Sequence, residues 1–148
     1  MMRVLVLSGP NLNLLGEREP EIYGTDTLDD HIARATRQAE LHAMSLDHLQ
    51  SNSEGDLVTA IQNARNTHHA IVINAAALTH YAWSIHDALA TFDGPVVELH
   101  ISDLKQREEW RHFSVIEPVA DVCIAGYGGK GYEMAIDAVA ELLEAGHN

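Results

Sequence analysis

The chain has 148 residues, 46% of them hydrophobic and 21% charged, with a formal charge of -13. That length suits one domain over residues 1–148, large enough to bury roughly two-thirds of its unfolded surface. The charge repels nucleic acid and anionic membranes, and no apolar run approaches the ~20 residues that cross a bilayer, so neither partner is expected and the cytoplasm is the expected location.

"RVLVLS" predicts a strand near 3–8, and this run is too short for a signal-peptide core. It leads into "GPNLNLLGEREPEIYG" (9–24), sixteen residues where a strand–helix connection usually takes about two to six. Arg18 and Tyr23 sit near its far end, close enough in sequence to meet. A free tyrosine has a pKa near 10, but a guanidinium beside it stabilises the phenolate, so the pair could abstract a proton. Gly16 and Gly24 would let the segment fold over a ligand and exclude water. The alternative, a plain surface loop, is weakened by its length.

"TLDD" predicts an N-cap for a helix over 27–44 with Ile32, Ala35, Ala39 and Leu41 as its apolar stripe. A strand near 46–51, "SNSEG" and a helix over 55–67 follow, then a β-branched strand near 70–75. That strand runs into "NAAALTH", where Asn74 and His80 bracket the loop and Thr79 can cap a helix over 80–92. Alone, this is an ordinary strand–helix turn.

The strand near 95–101 puts Val96, Glu98 and His100 on one face and Val97, Leu99 and Ile101 on the other. If helices cover both faces, a carboxylate and an imidazole are buried together, and burial is costly unless they pair. Glu98 would then orient His100 as a general acid. The alternative is an edge strand with both side chains in water, and this strand alone leaves the two evenly weighted. After it, Ser102 or Asp103 can cap a short helix near 104–111 whose free N–H groups would cradle an anion. Arg107 and Arg111, four apart, share a face of that helix, unless it is simply solvated with Glu108 and Glu109 as salt partners. Arg18, Lys105, Arg107 and Arg111 thus form local basic islands that suit a small anion in an acidic protein.

A strand near 121–125 contains the single cysteine, Cys123, which cannot form an internal disulfide and reads as a small apolar core residue. "GYGGKG" (126–131) then matches G-x-G-x-x-G before a helix over 130–145. A dinucleotide site needs a further strand carrying an acid about 20 residues on, and the chain ends at Asn148, so a glycine-rich turn is the favoured reading. No G-x-x-x-x-G-K-[ST], H-E-x-x-H or zinc-spaced Cys–His cluster occurs, and His31, His42, His48, His68, His69 and His147 read as surface or helix-face residues. No metal is expected.

Alternating strands and helices predict a doubly wound α/β domain: a five-stranded parallel sheet with helices on both faces. Ligands bind outside the carboxyl ends of such strands, which selects the connections 9–24, 52–54, 74–79, 102–104 and 126–130.

Together, "GPNLNLLGEREPEIYG", "LQSNSEG", "ELHISD" and "REEWRHFS" resemble the type II 3-dehydroquinate dehydratases over nearly the whole chain. The resemblance implies a flavodoxin-like fold, assembly as a dodecamer built from trimers, and reversible trans-dehydration of the small anion 3-dehydroquinate without cofactor or metal. It makes Tyr23 the proton acceptor, Arg18 its activator, His100 the acid, Glu98 the residue orienting it, and Asn11 a holder of the enolate through water. Asn74, His80, Asp87, Ile101, Ser102 and Arg111 match substrate-binding positions, with Arg107 nearby; in the family, the aspartate matching Asp87 reaches a neighbouring subunit's site. A β-hydroxy ketone supplies its own electron sink, and Lys105 and Lys130 sit at expected helix starts near the surface, which disfavours an imine route.

The chain also departs from the family's pattern. Ala75 and Ala76 follow Asn74 where Pro-Gly is usual, and alanine at a positive-φ glycine position would strain that loop. Ser53, His86 and Phe113 stand where histidine, arginine and histidine are frequent. Two other classes compete: a flavin- or nucleotide-binding module, and an assembled relative that has lost catalysis.

Overall fold

A computed structural model describes residues 1–146; the expectation for His147 lies outside them. Five strands, β1 (Met2–Ser8), β2 (Met44–Gln50), β3 (Ala70–Asn74), β4 (Val96–His100) and β5 (Val122–Ala125), form one parallel sheet in the order β2-β1-β3-β4-β5. The helices are α1 (Pro20–Tyr23), α2 (Leu28–Leu41), α3 (Glu54–Ala64), α4 (Trp83–Ala90) and α5 (Lys130–Glu144). This is the expected doubly wound α/β architecture, and its strand order reverses direction between β1 and β3.

Alternation along the central strands splits the core into two layers. Val4, Val6, Val72, Val97 and Leu99 pack with α2 and α5, whereas Leu5, Leu7, Ile71, Ile73 and Val96 pack with α3 and α4. Being buried on both faces, β3 and β4 read as continuous runs of buried residues. Since β4 lies inside the sheet, the edge-strand alternative for Glu98 and His100 falls: they are 0% and 4% exposed.

Helix α2 begins with a reciprocal capping box, in which the Thr27 hydroxyl accepts from the Asp30 N–H and the Asp30 carboxylate accepts from the Thr27 N–H. It stops at Leu41 because Ala43 turns left-handed (φ 56°) to enter β2, which leaves Leu41 exposed rather than in the apolar stripe. The buried stripe instead begins at Leu28 and includes His31, which is buried against Tyr132 of α5 with ring centroids 4.9 Å apart and planes 4° off parallel. Of the two readings of His31, surface or helix face, the surface one falls: α2 turns this residue toward α5, and stacking on Tyr132 gives the ring an apolar partner. His48 is half-buried, its Nε2 2.9 Å from the Ser8 hydroxyl across the β1–β2 pair.

Three further expectations fail locally. Thr79 caps no helix; it lies buried in a 3-10 turn (Ala76–His80), and α4 starts after Ala82 with no side-chain cap. The short helix expected near 104–111 is two separate 3-10 turns, Leu104–Gln106 and Glu109–Arg111, because Arg107 is extended between them (φ -113°, ψ -167°). Cys123 is exposed rather than in the core, since β5 is an edge strand and Cys123 alternates away from the α5 side on which Ile124 is buried. The connection 9–24 holds a 3-10 turn (Leu12–Leu14) and the single helical turn α1, so the disfavoured alternative of a plain surface loop falls.

The 126–131 segment is a glycine-rich turn. Gly126 and Gly128 have φ of 90° and 60°, and a Cβ at Gly131 would come within 2.9 Å of Leu99. No helix among the described residues is long and apolar enough to cross a membrane.

Candidate active site

Three of the five connections at the strands' carboxyl ends converge on one pocket of about 510 Å³, counting its open mouth. The segment after β1 contributes Asn11, Arg18 and Tyr23; the segment after β3 contributes Asn74, Ala76 and His80; β4 and its exit contribute His100, Ile101, Ser102, Arg107 and Arg111. The 52–54 and 126–130 connections do not line it.

Tyr23 ends α1, where Pro20 supplies the fixed φ that suits a helix's first turn and Gly24 (φ 82°) releases the chain. Its hydroxyl accepts a 2.8 Å hydrogen bond from Arg107 Nη1, and the same nitrogen reaches Ser102 Oγ at 3.3 Å. The Arg18 and Arg107 guanidinium carbons lie 5.0 and 5.2 Å from the Tyr23 ring centroid, so two cations flank one phenol. The Arg18–Tyr23 proximity anticipated from sequence is present. Arg107, expected only nearby, is the residue bonded to the Tyr23 oxygen.

Across the pocket, His100 Nε2 lies 2.6 Å from Glu98 Oε2. The same oxygen accepts from Ser114 Oγ at 2.7 Å and, weakly, from Thr79 Oγ1 at 3.4 Å. Burial works to raise the Glu98 carboxyl, but the hydrogen bond and charge of His100, followed by Ser114, outweigh it and hold the group below its ordinary value. Glu98 is thus a carboxylate, which requires hydrogen on His100 Nε2 and leaves Nδ1 as the nitrogen able to meet a ligand. Ser114 escaped the sequence reading; its signal was its place at the end of "REEWRHFS", sixteen residues from its partner.

His80 Nδ1 donates to the Phe113 carbonyl at 2.7 Å, leaving Nε2 as the acceptor. Burial lowers its pKa, so it is a neutral hydrogen-bonding group. Asn74 is buried, its Oδ1 accepting from the Ala76 N–H at 3.0 Å. That bond accompanies a left-handed Ala76 (φ 54°), so alanine occupies the conformation glycine suits. Arg111 lies with its guanidinium carbon 4.0 Å from the Trp110 ring centroid and bonds Glu108 at 3.0 Å. Asp103, not Ser102, caps the first turn after β4, accepting from the Lys105 N–H at 3.1 Å.

Of the predicted site residues, Asn11, Arg18, Tyr23, Asn74, His80, His100, Ile101, Ser102, Arg107 and Arg111 line the pocket, with Glu98 directly behind His100. Asp87 does not; it is exposed on α4 in a separate shallow cleft with Gln62 and Arg65. Such a set can donate and accept protons on opposite walls while holding an anion between arginines and backbone.

Comparison with known proteins gives a consistent result. The family model described as Dehydroquinase class II matches residues 2–140. A 3-dehydroquinate dehydratase of Streptomyces avermitilis is 53% identical over 144 residues, covering 97% of this chain and 91% of that protein. The crystal structure of a type II dehydroquinase from Propionibacterium acnes superimposes with a TM-score of 0.91 at 42% identity, covering 95% of this chain and 97% of that one. The corresponding structure from Butyrivibrio crossotus gives 0.90 at 44% identity, covering 93% and 97%.

Proposed function

The chain belongs to the class II dehydroquinase family and is a hydro-lyase that dehydrates 3-dehydroquinate, and from that premise we propose how its side chains divide the reaction. The observation that carries the proposal is Tyr23, bonded to Arg107 and flanked by Arg18, in one pocket with the Glu98–His100 pair.

Tyr23 acts as base. Its phenolate oxygen takes a proton from the carbon beside the ketone, and the electron pair moves to the ketone oxygen as an enolate. The guanidinium groups of Arg107 and Arg18 put positive charge where the phenolate needs it. Asn11 holds the enolate through water. When the ketone re-forms, the enolate's electron pair becomes the new carbon–carbon double bond and the bond to the β-hydroxyl breaks. That oxygen takes the Nδ1 proton of the doubly protonated His100 ring, departing as water and leaving a neutral imidazole. Glu98 keeps the ring oriented and hydrogen on Nε2 throughout. Asn74, His80, Arg111 and the backbone of Ile101 and Ser102 hold the substrate's hydroxyls and carboxylate.

We further read residues 1–148 as one catalytic domain working in the cytoplasm and assembling as a dodecamer of trimers. Exposed Tyr81, Trp83, Trp110 and Phe113 support assembly, forming an apolar rim beside His80 that water alone covers poorly. Asp87 faces away from its own pocket, as a residue serving a neighbour's site would.

The test is ultraviolet absorbance of the conjugated enone as purified protein consumes 3-dehydroquinate. Y23F should retain its fold and lose turnover; full activity in that variant would remove Tyr23 as base.

A further inference from the structure

The "LQSNSEG" stretch has no part in the pocket, yet it touches the residue that begins it. Asn11 is left-handed (φ 70°, ψ -4°) at the entry to the Leu12–Leu14 turn, and its side chain caps nothing. Asparagine tolerates this well without being confined to it. The Asn11 N–H donates to Asn52 Oδ1 at 3.0 Å. Gln50 Nε2 donates to the same oxygen at 3.2 Å and to the Gly9 carbonyl at 3.2 Å. Two donors on one oxygen fix which way the Asn52 amide faces, because the reverse orientation would oppose N–H to N–H.

The brace is itself anchored. Gln50 pairs with Ser8 across the β1–β2 ladder, and the Ser51 N–H donates to the Ser8 carbonyl at 3.0 Å. Beyond Asn52, Ser51 Oγ accepts from the Ser53 N–H at 2.9 Å and donates to Asp56 at 2.8 Å, which fixes the turn carrying the amide. Neither Gln50 nor Asn52 lines the pocket, and the bond that joins Asn52 Oδ1 to a pocket residue is the one from the Asn11 N–H.

We propose that Asn52, oriented by Gln50, is a positioning residue for the dehydration: its carbonyl locks the left-handed backbone of Asn11 and so aims the Asn11 amide at the enolate. This rests on the reading of Asn11 as an enolate holder. Since the enolate exists only after proton abstraction, loss of the brace acts on kcat rather than on substrate binding.

The experiment compares N52L, N52D, N11A and N11A/N52L by steady-state kinetics, with far-UV circular dichroism and thermal unfolding to confirm folding. N52L should lower kcat about five- to tenfold with KM within about twofold. N52D keeps the acceptor and should restore kcat to within about twofold of the parent. The double variant should be no slower than N11A, because both changes remove one device. An impaired N11A beside an unimpaired N52L, or an N52D as slow as N52L, would overturn the brace alone. A fully active N11A would overturn it through the assignment of Asn11.

Discussion

Arg107 Nη1 lies 2.8 Å from the Tyr23 hydroxyl, across 84 positions of sequence, and is the one guanidinium nitrogen bonded to that oxygen among the described residues. Arg18, much nearer in sequence, approaches the ring face and makes its ion pair with Glu19 at 3.4 Å. The two arginines therefore act differently on one phenol. Arg107 supplies a directed donor, whereas Arg18 supplies charge from the chain just ahead of α1, the helical turn that carries Tyr23.

That division predicts different mutational costs. R107L should lower kcat by about 10²–10³, the usual cost of deleting one donor aimed at developing charge. R107K should recover only part of this, since the Nη1 that bonds both Tyr23 and Ser102 sits at the end of a planar, weakly hydrated guanidinium whose reach a compact, strongly hydrated ammonium does not reproduce. Steady-state kinetics on folded variants decides the matter, and an R107L enzyme within threefold of the parent would refute it.

Ala76 offers a stability test. Its φ of 54° costs an L-residue about 1–2 kcal/mol, part of which a glycine would return as greater unfolded-state freedom. A76G should therefore gain up to about 1 kcal/mol, a rise of about 2–4 °C in unfolding midpoint for a chain of this size. Because Ala76 also lines the pocket and donates to Asn74, activity should be held or improved. A lower midpoint in A76G would show that the turn is unstrained.

His31 sets a pH dependence. Burial first, then the Arg34 guanidinium with its nitrogen 2.7 Å from Nδ1, lowers its pKa below 6.5, against smaller opposing effects of Asp26 and Asp30. The native state thus keeps His31 neutral where the unfolded chain would take a proton, so stability is present above pH 6.5 and is lost as pH falls through the folded value. Burial shifts His48 and His80 the same way. The unfolding midpoint should decline from pH 7.5 to 5.5, before Asp30, Asp47 and Glu98, all held below their ordinary values, begin to protonate. H31F, which keeps a ring against Tyr132 but cannot titrate, should show a shallower decline over that interval. An unchanged slope would rule out His31 as a source.

What sequence made legible follows interaction range. The Thr27–Asp30 capping box spans three residues, and the Glu98–His100 face follows from period two within one strand; both are present as expected. Whether that face was buried depended on β4 lying inside the sheet, which a single strand cannot reveal. The Arg107–Tyr23 bond, the Ser114 support of Glu98 and the burial of His31 beneath Tyr132 all depend on how distant segments meet. The family resemblance supplied the site residues that spacing alone could not join. It did not supply the Arg107 contact geometry or the Asn52 brace.

Cys123 shows how a long-range neighbour governs reactivity. It pairs in register with Glu98 across β4 and β5, so both side chains share a face. Burial of the sulfur comes first, followed by the Glu98 and Glu117 charges, and together they push the thiol up to about 12 from 9.0 despite Lys105. At pH 8 the nucleophilic thiolate is then only about one part in 10⁴, against roughly a quarter for a free thiol of pKa ~8.5. Iodoacetamide should modify Cys123 more than about a hundredfold slower than it modifies the unfolded chain, although the residue is exposed. E98Q removes the carboxylate charge without emptying the site and should speed alkylation at least severalfold, which shielding by a neighbouring subunit would not reproduce. A free-thiol rate in the folded parent, or no acceleration in E98Q, would break the link between Cys123 and the carboxylate that orients His100.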